Sequence, residues 1–241
     1  MPQLFAGTSG WAYPSWKPEF YPAKLAQKNF LQHYATQLNT VEVNFSFRQL
    51  LKETTVNKWI AETPAGFSFG VKAHQVITHI KRLKNTQDFV PRFLGTLEPL
   101  ARAGKMGPVL FQLPPNMKAD AAALEEFLGL LPRVVPAAFE FRHESWFSDA
   151  IFELLKKNDR ALCVAESEDR VTPDVVTASF CYYRHRKPSY TPDERRAMTA
   201  RVREHLQQGR DVYAYFKHEE TPQGAIYAVE VLREVAGQKI V

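Results

Sequence analysis

The chain has only two cysteines in 241 residues. Cys163 and Cys181 both lie in apolar runs, so they are expected as buried free thiols in a reducing compartment. Neither belongs to a CxxC or Cys–His spacing, which argues against a zinc module. No apolar run approaches the roughly 18 residues of a membrane-spanning helix. The N-terminal MPQLFAGTSGW lacks a basic region followed by a long apolar one; it reads as a first strand rather than a signal peptide. A cytoplasmic protein without membrane association is expected. The GxGxxG fingerprint of a dinucleotide fold is missing, because Gly7-Thr-Ser-Gly10-Trp11 does not supply it. HExxH is missing too, and no aspartate occupies a predicted strand end, so no metal ligands are assigned. The motifs leave the cofactor and the oligomeric state open.

What is present is ordinary in bulk: 45% hydrophobic and 24% charged residues, the balance of a globular domain. A formal charge of +5 favours anionic ligands or simply solubility, and by itself is too small to mark a nucleic-acid binder. Eight apolar segments read as strands: Leu4–Thr8, Thr40–Asn44, Phe67–Lys72, Pro108–Leu113, Ala137–Arg142, Ala161–Glu166, Ser179–Arg184 and Asp211–Lys217. Helical stretches fall between most of them, at Lys24–Gln37, Thr54–Ala61, Asp88–Ala103, Ala121–Leu131, Ser148–Lys157, Thr191–Gln208 and Ala225–Val235. Asp120 and Thr191-Pro192 are helix-start signals. The segment from Glu166 to Ser179 is too short and broken for a full helix. Alternating strands and helices imply parallel strands joined by crossovers. Eight in this length predict one α/β domain over the whole chain, a (β/α)8 TIM-type barrel, with a doubly wound open sheet as the competitor.

Several strands acquire a polar residue near the C-terminal end, most plainly in FEFRHESW at 139–146. Strand parity divides the faces. Val41, Val43, Phe69, Val71, Val109, Phe111, Phe139 and Phe141 suit the helix-packed side. Thr8, Glu42, Asn44, Lys72, Gln112, Glu140, Arg142, Arg184 and Lys217 then face the barrel interior and converge at its C-terminal mouth, where barrel enzymes place their chemistry. Two carboxylates against four cations leave a net positive pocket, suited to a phosphate or carboxylate group. An internal ion-pair network without a ligand is the plain structural alternative. His74, His79, His143, His185 and His218 follow predicted strand ends; of these His79 and His143 are the candidate site members. Trp11, Tyr13, Trp16, Phe20 and Tyr21 crowd the loop after the first strand, and Trp146 follows the fifth. They either stack on a ring at the mouth or close the barrel rim.

Five ordered blocks, GTSGWAYPSWKPEFYP, NTVEVNFSF, FSFGVKAHQVITH, GPVLFQLPP and FEFRHESWF, resemble the YecE-like proteins, also described as domain of unknown function 72. The resemblance covers nearly the whole chain and implies a TIM-type barrel; it supplies no reaction. Glu42, Asn44, Lys72, His79, Gln112, Glu140, Arg142 and His143 lie in those blocks.

The expectation is a barrel enzyme for a small anionic substrate, phosphorylated compounds being one class. Glu140 or Glu42 would be the general acid/base and His143 an alternative proton carrier. Lys72, Arg142 and Arg184 would hold the anion, with Lys217, Asn44, His79, Gln112, Trp11 and Trp146 completing the substrate site. Two other readings compete: binding of nucleic acid or a nucleotide by the basic, aromatic-lined mouth, and metal-dependent hydrolysis if His79, His143 and a carboxylate meet.

Overall fold

Each apolar run is followed by a chain reversal, and the result is a closed barrel. The computed structural model describes residues 1–167, 170–217 and 220–237. Its barrel strands are β1 (Leu4–Ser9), β2 (Thr40–Val43), β3 (Ser68–Lys72), β4 (Met106–Gln112), β5 (Ala137–Glu140), β6 (Ala161–Ser167), β7 (Phe180–His185) and β8 (Asp211–Phe216). Every one pairs in parallel with its neighbours in chain order, and β8 pairs with β1 to close the ring. These bounds lie within two residues of the expected ones. Among the described residues between β6 and β7 there is no helix, as expected. Thr177 instead staples the connection, accepting from Leu162 N and donating to Arg160 O at 2.7 Å each.

The outer helices are α1 (Phe30–Tyr34), α2 (Glu53–Ala61), α3 (Phe89–Gly95), α4 (Glu98–Arg102), α5 (Ala121–Leu130), α6 (Asp149–Lys157), α7 (Pro192–Gln207) and α8 (Gln223–Val235). Asp120 caps α5 by accepting from Ala123 N at 3.0 Å, and Thr191 with Glu194 makes a capping box on α7, so both start signals were legible. Two expected helices are shorter than their sequence pattern. The stretch 88–103 divides into α3 and α4 because Pro99 stands in the first turn of α4, where its missing N–H breaks the earlier hydrogen-bond ladder. The stretch 24–37 is helical in the α sense only from Phe30. Gln27–Asn29 before it is a 3-10 turn with no buried side chain to hold a helical face inward.

Apolar side chains separate into two clusters. The larger packs strands against helices and contains all eight residues assigned to that side, from Val41 to Phe141. The smaller fills the barrel's lower interior: Phe5, Leu110, Cys163, Tyr182, Tyr213 and Tyr215 are among its members. Gly70 is required there, because a Cβ would stand 2.5 Å from the Tyr215 hydroxyl. That hydroxyl is hydrogen bonded to Thr40 Oγ1 at 2.9 Å.

Parity failed in one strand. Thr8, expected inside, faces α1: its backbone N–H and its hydroxyl both meet the Tyr34 hydroxyl, at 2.8 and 3.0 Å. Ser9 points inward instead. The two faces of β1, Leu4-Ala6-Thr8 and Phe5-Gly7-Ser9, are equally apolar, so the sequence offered no preference. Both cysteines are buried and free, Cys163 in the interior cluster and Cys181 in the outer one. Among the described residues no helix is long and apolar enough to cross a membrane.

Candidate active site

Above the tyrosine layer, the inward side chains at the strand ends form one connected polar network. Arg184, at the end of β7, donates from Nη2 to Glu42 Oε1 at 2.6 Å and from Nη1 to Glu140 Oε2 at 2.5 Å. Glu42 also accepts from Ser9 Oγ at 2.8 Å, Tyr182 OH at 2.6 Å and Asn44 Nδ2 at 3.3 Å. Gln112 Nε2 donates to Glu140 Oε1 at 2.7 Å, and Gln112 Oε1 accepts from Lys72 Nζ at 2.8 Å. A continuous path thus runs from Ser9 through both carboxylates to the Lys72 ammonium, which rests 4.2 Å from the centre of the Phe47 ring.

Burial decides what these groups can do. Glu42, Glu140 and Arg184 are at most 2% exposed. Burial alone would raise the carboxyl pKa values, but the Arg184 charge and the donated hydrogen bonds outweigh it, and both are held below the ordinary range. Lys72 moves the opposite way. It is half-buried, and burial, aided by the Arg184 charge, lowers its pKa to about 8 although Glu42 and Glu140 oppose this. The His79 pKa is lowered by burial and by the charges of Lys72, Arg142 and Arg82.

Of the expected site residues, the network joins Glu42, Asn44, Lys72, Gln112, Glu140 and Arg184. His79 stands beside its Lys72 end, since Phe47 meets both the Lys72 ammonium and, edge-on at 4.9 Å, the His79 ring, and the Arg142 charge acts on His79. His79 belongs to a π-helical turn, Val76–Ile80, followed by left-handed backbone at Arg82, Leu83 and Asn85. Such turns are frequent at functional sites.

The other expected members lie apart. His143 Nδ1 accepts from Ser145 N at 3.2 Å and meets Ser145 Oγ at 2.9 Å, capping a short turn. Trp146 is fully buried; it stacks on Phe141 and donates to Met117 O at 2.7 Å. Lys217 is exposed, and its backbone N–H donates to His185 O at 3.0 Å. Trp11 stands edge-on to Trp59 in the wall of a cavity between the β1 loop and α2. His218 lies outside the described residues. Among the described residues no group of three His, Cys, Asp or Glu side chains is placed to hold a metal ion.

Three participants were not expected from sequence. Ser9 was lost to the parity slip. Tyr182 was not singled out, yet its hydroxyl reaches Glu42. Arg186 follows the strand end and was not assigned to the mouth, yet its charge acts on Glu42, Glu140 and Lys72. The signal was available, because Arg186 continues the inward parity of Tyr182 and Arg184.

Comparison with known proteins fits this architecture. A Thermotoga maritima DUF72 family protein superposes with a TM-score of 0.86 at 24% identity, covering 98% of this chain and 100% of that one. The UPF0759 protein YunF of Bacillus subtilis is 31% identical over 156 residues, 62% of this chain and 54% of YunF. The UPF0759 protein YecE of Escherichia coli K12 is 30% identical over 146 residues, 60% of this chain and 50% of YecE. The matched stretch thus spans about half the length of these curated relatives. The family described as "Protein of unknown function DUF72" matches residues 5–240, and with the barrel and the ordered blocks that carry its polar network, the chain belongs to the DUF72 family.

Proposed function

We propose that the protein is an enzyme that binds a small anionic substrate at the C-terminal mouth of the barrel. Lys72 meets the substrate's charge there and carries the proton. The observation that supports this is the unequal enclosure of the network. Its carboxylates are sealed, ionised and hydrogen bonded to donors, whereas Lys72 at its other end is only partly buried. A carboxylate with so low a pKa is a weak base at neutral pH, and an amine near 8 is matched to proton transfer there. The acid/base role expected of Glu42 and Glu140 therefore passes to Lys72. The carboxylates act as fixed counter-charges that orient Arg184 and, through Gln112, Lys72.

The charges named here favour an anion. Lys72, Arg184 and Arg186 stand against Glu42 and Glu140, three cations against two carboxylates, and Arg142 adds its charge at His79. Arg184 spends both terminal nitrogens on the carboxylates, so Lys72 carries the attraction outward.

A thermal-shift series with phosphate, pyrophosphate, small carboxylates, short oligonucleotides and divalent metals tests this on the wild type and on Lys72→Met. A ligand that prefers the native state raises Tm by mass action. The expected result is a rise with at least one of these anions that Lys72→Met, shown folded by circular dichroism, loses. A shift confined to oligonucleotides or divalent metals, or no shift at all, would overturn the reading.

A further inference from the structure

A cavity of about 320 Å³ lies between the loop after β1 and the start of the β2–α2 segment. Trp11, Tyr13, Phe45 and Trp59 line it, with Gly10 and Asn44, and none of its lining side chains is charged. This volume falls within the range of small-ligand sites, and such a lining matches them: mostly apolar and aromatic, with a few polar groups. Trp11 and Trp59 meet edge to face at 5.4 Å, so the wall is built of fixed rings. Phe45, at the rim, is 55% exposed, unusual for so large an apolar side chain.

Asn44 belongs to both this cavity and the polar network, and Gly10 ties the cavity's loop to the backbone of the same strand. Gly10 N donates to Glu42 O at 3.0 Å. Asn44 Nδ2 donates to Glu42 while its Oδ1 has no hydrogen-bond partner, and a buried unpaired acceptor costs free energy until a donor reaches it. The loop is held in shape by Tyr13 OH, which donates to Ser9 O at 2.8 Å, next to the network's Ser9 hydroxyl.

From this we infer that the cavity holds a neutral flat ring, and that this ring is the uncharged end of the substrate whose anionic group Lys72 meets. The inference rests on the reading of the preceding subsection. Aromatic walls stack on a flat ring, and the absence of lining charge disfavours an anion in the cavity itself. The substrate class is an anionic compound built on an aromatic or heteroaromatic ring.

Three probes separate the claims: indole (ring alone), inorganic phosphate (anion alone) and tryptophol phosphate (both). They are titrated by calorimetry into the wild type, Thr55→Trp and Lys72→Met. Thr55 is a half-buried residue of α2 lining the cavity, and a tryptophan there fills it without touching the polar network. Tryptophol phosphate is expected to bind at least about tenfold more tightly than either indole or phosphate, a difference of about 1.4 kcal/mol. Thr55→Trp is expected to abolish indole binding and to leave phosphate binding intact. Indole that fails to bind, or binds Thr55→Trp equally well, would overturn the ring site while leaving the anion reading untouched. Tryptophol phosphate no tighter than indole or phosphate would overturn the claim that one substrate spans both. Indole binding without any phosphate binding would sink the anion reading and, with it, the link to Lys72.

Discussion

Arg184 and Glu140 meet at 2.5 Å inside the barrel, with side chains 2% and 3% exposed, and the same guanidinium bridges to Glu42. Two buried carboxylates sharing one arginine are stable only while that arginine is present. Arg184→Met is therefore expected to cost about 3–5 kcal/mol at pH 7, as uncompensated buried charges do. The pH dependence has a definite sign. In the wild type the folded carboxyl pKa values are depressed, so their contribution is present above the unfolded values of about 4 and is lost as pH falls through the folded ones. In Arg184→Met burial raises them instead, and the deficit against wild type shrinks as pH falls toward 5. Urea denaturation at pH 7 and pH 5 checks both points; an equal deficit at the two would contradict them.

Lys72 gives the alkaline counterpart. Its folded pKa is near 8 against an ordinary 10.5, so between those values the unfolded chain binds a proton that the folded chain does not. Its contribution is complete above the unfolded value and lost as pH falls through the folded one. Wild-type stability should therefore gain on Lys72→Met as pH rises from 8 to 10 in urea melts. A constant difference would show an unperturbed amine.

Gly70→Ala pushes a methyl group toward the Tyr215 hydroxyl. The expected cost is about 1–3 kcal/mol by overpacking, and Tyr215→Phe, which removes the hydroxyl, should recover part of it. Melts of the two single variants and the double variant measure the coupling; strict additivity would place the strain elsewhere.

Trp146→Phe loses the bond from Nε1 to Met117 O. Leaving that carbonyl unpaired should cost about 1–3 kcal/mol, while the thermal response to small anions survives, because Trp146 is sealed against Phe141. A lost anion response in a folded Trp146→Phe would restore Trp146 to the ligand site.

The barrel was legible because strand period and helix caps are local signals: Thr191 announces α7, and Val41 and Val43 announce the outward face of β2. Glu42, Gln112, Glu140 and Arg184 were found together by the same parity. What sequence withheld depends on contacts between distant elements. Thr8 and Ser9 are exchanged because neither face of β1 is distinctive. Tyr182 reaches a carboxylate on a strand 140 residues away, and Trp146 turns inward to a carbonyl of the β4–α5 loop. The difference between sealed carboxylates and a partly buried lysine is one of burial, which strand parity alone does not report.

NMR titration of the Lys72 side chain, by ¹³C-methylation of the lysines and assignment with Lys72→Arg, reads the proposed site at the atom that matters. The expected result is a pKa near 8 in the free protein that rises when a small anion binds, since a bound negative charge favours the ammonium. A Lys72 that titrates near the ordinary 10.5 and ignores phosphate, pyrophosphate and small carboxylates would leave the charged mouth as an ion-pair network that only fills the barrel.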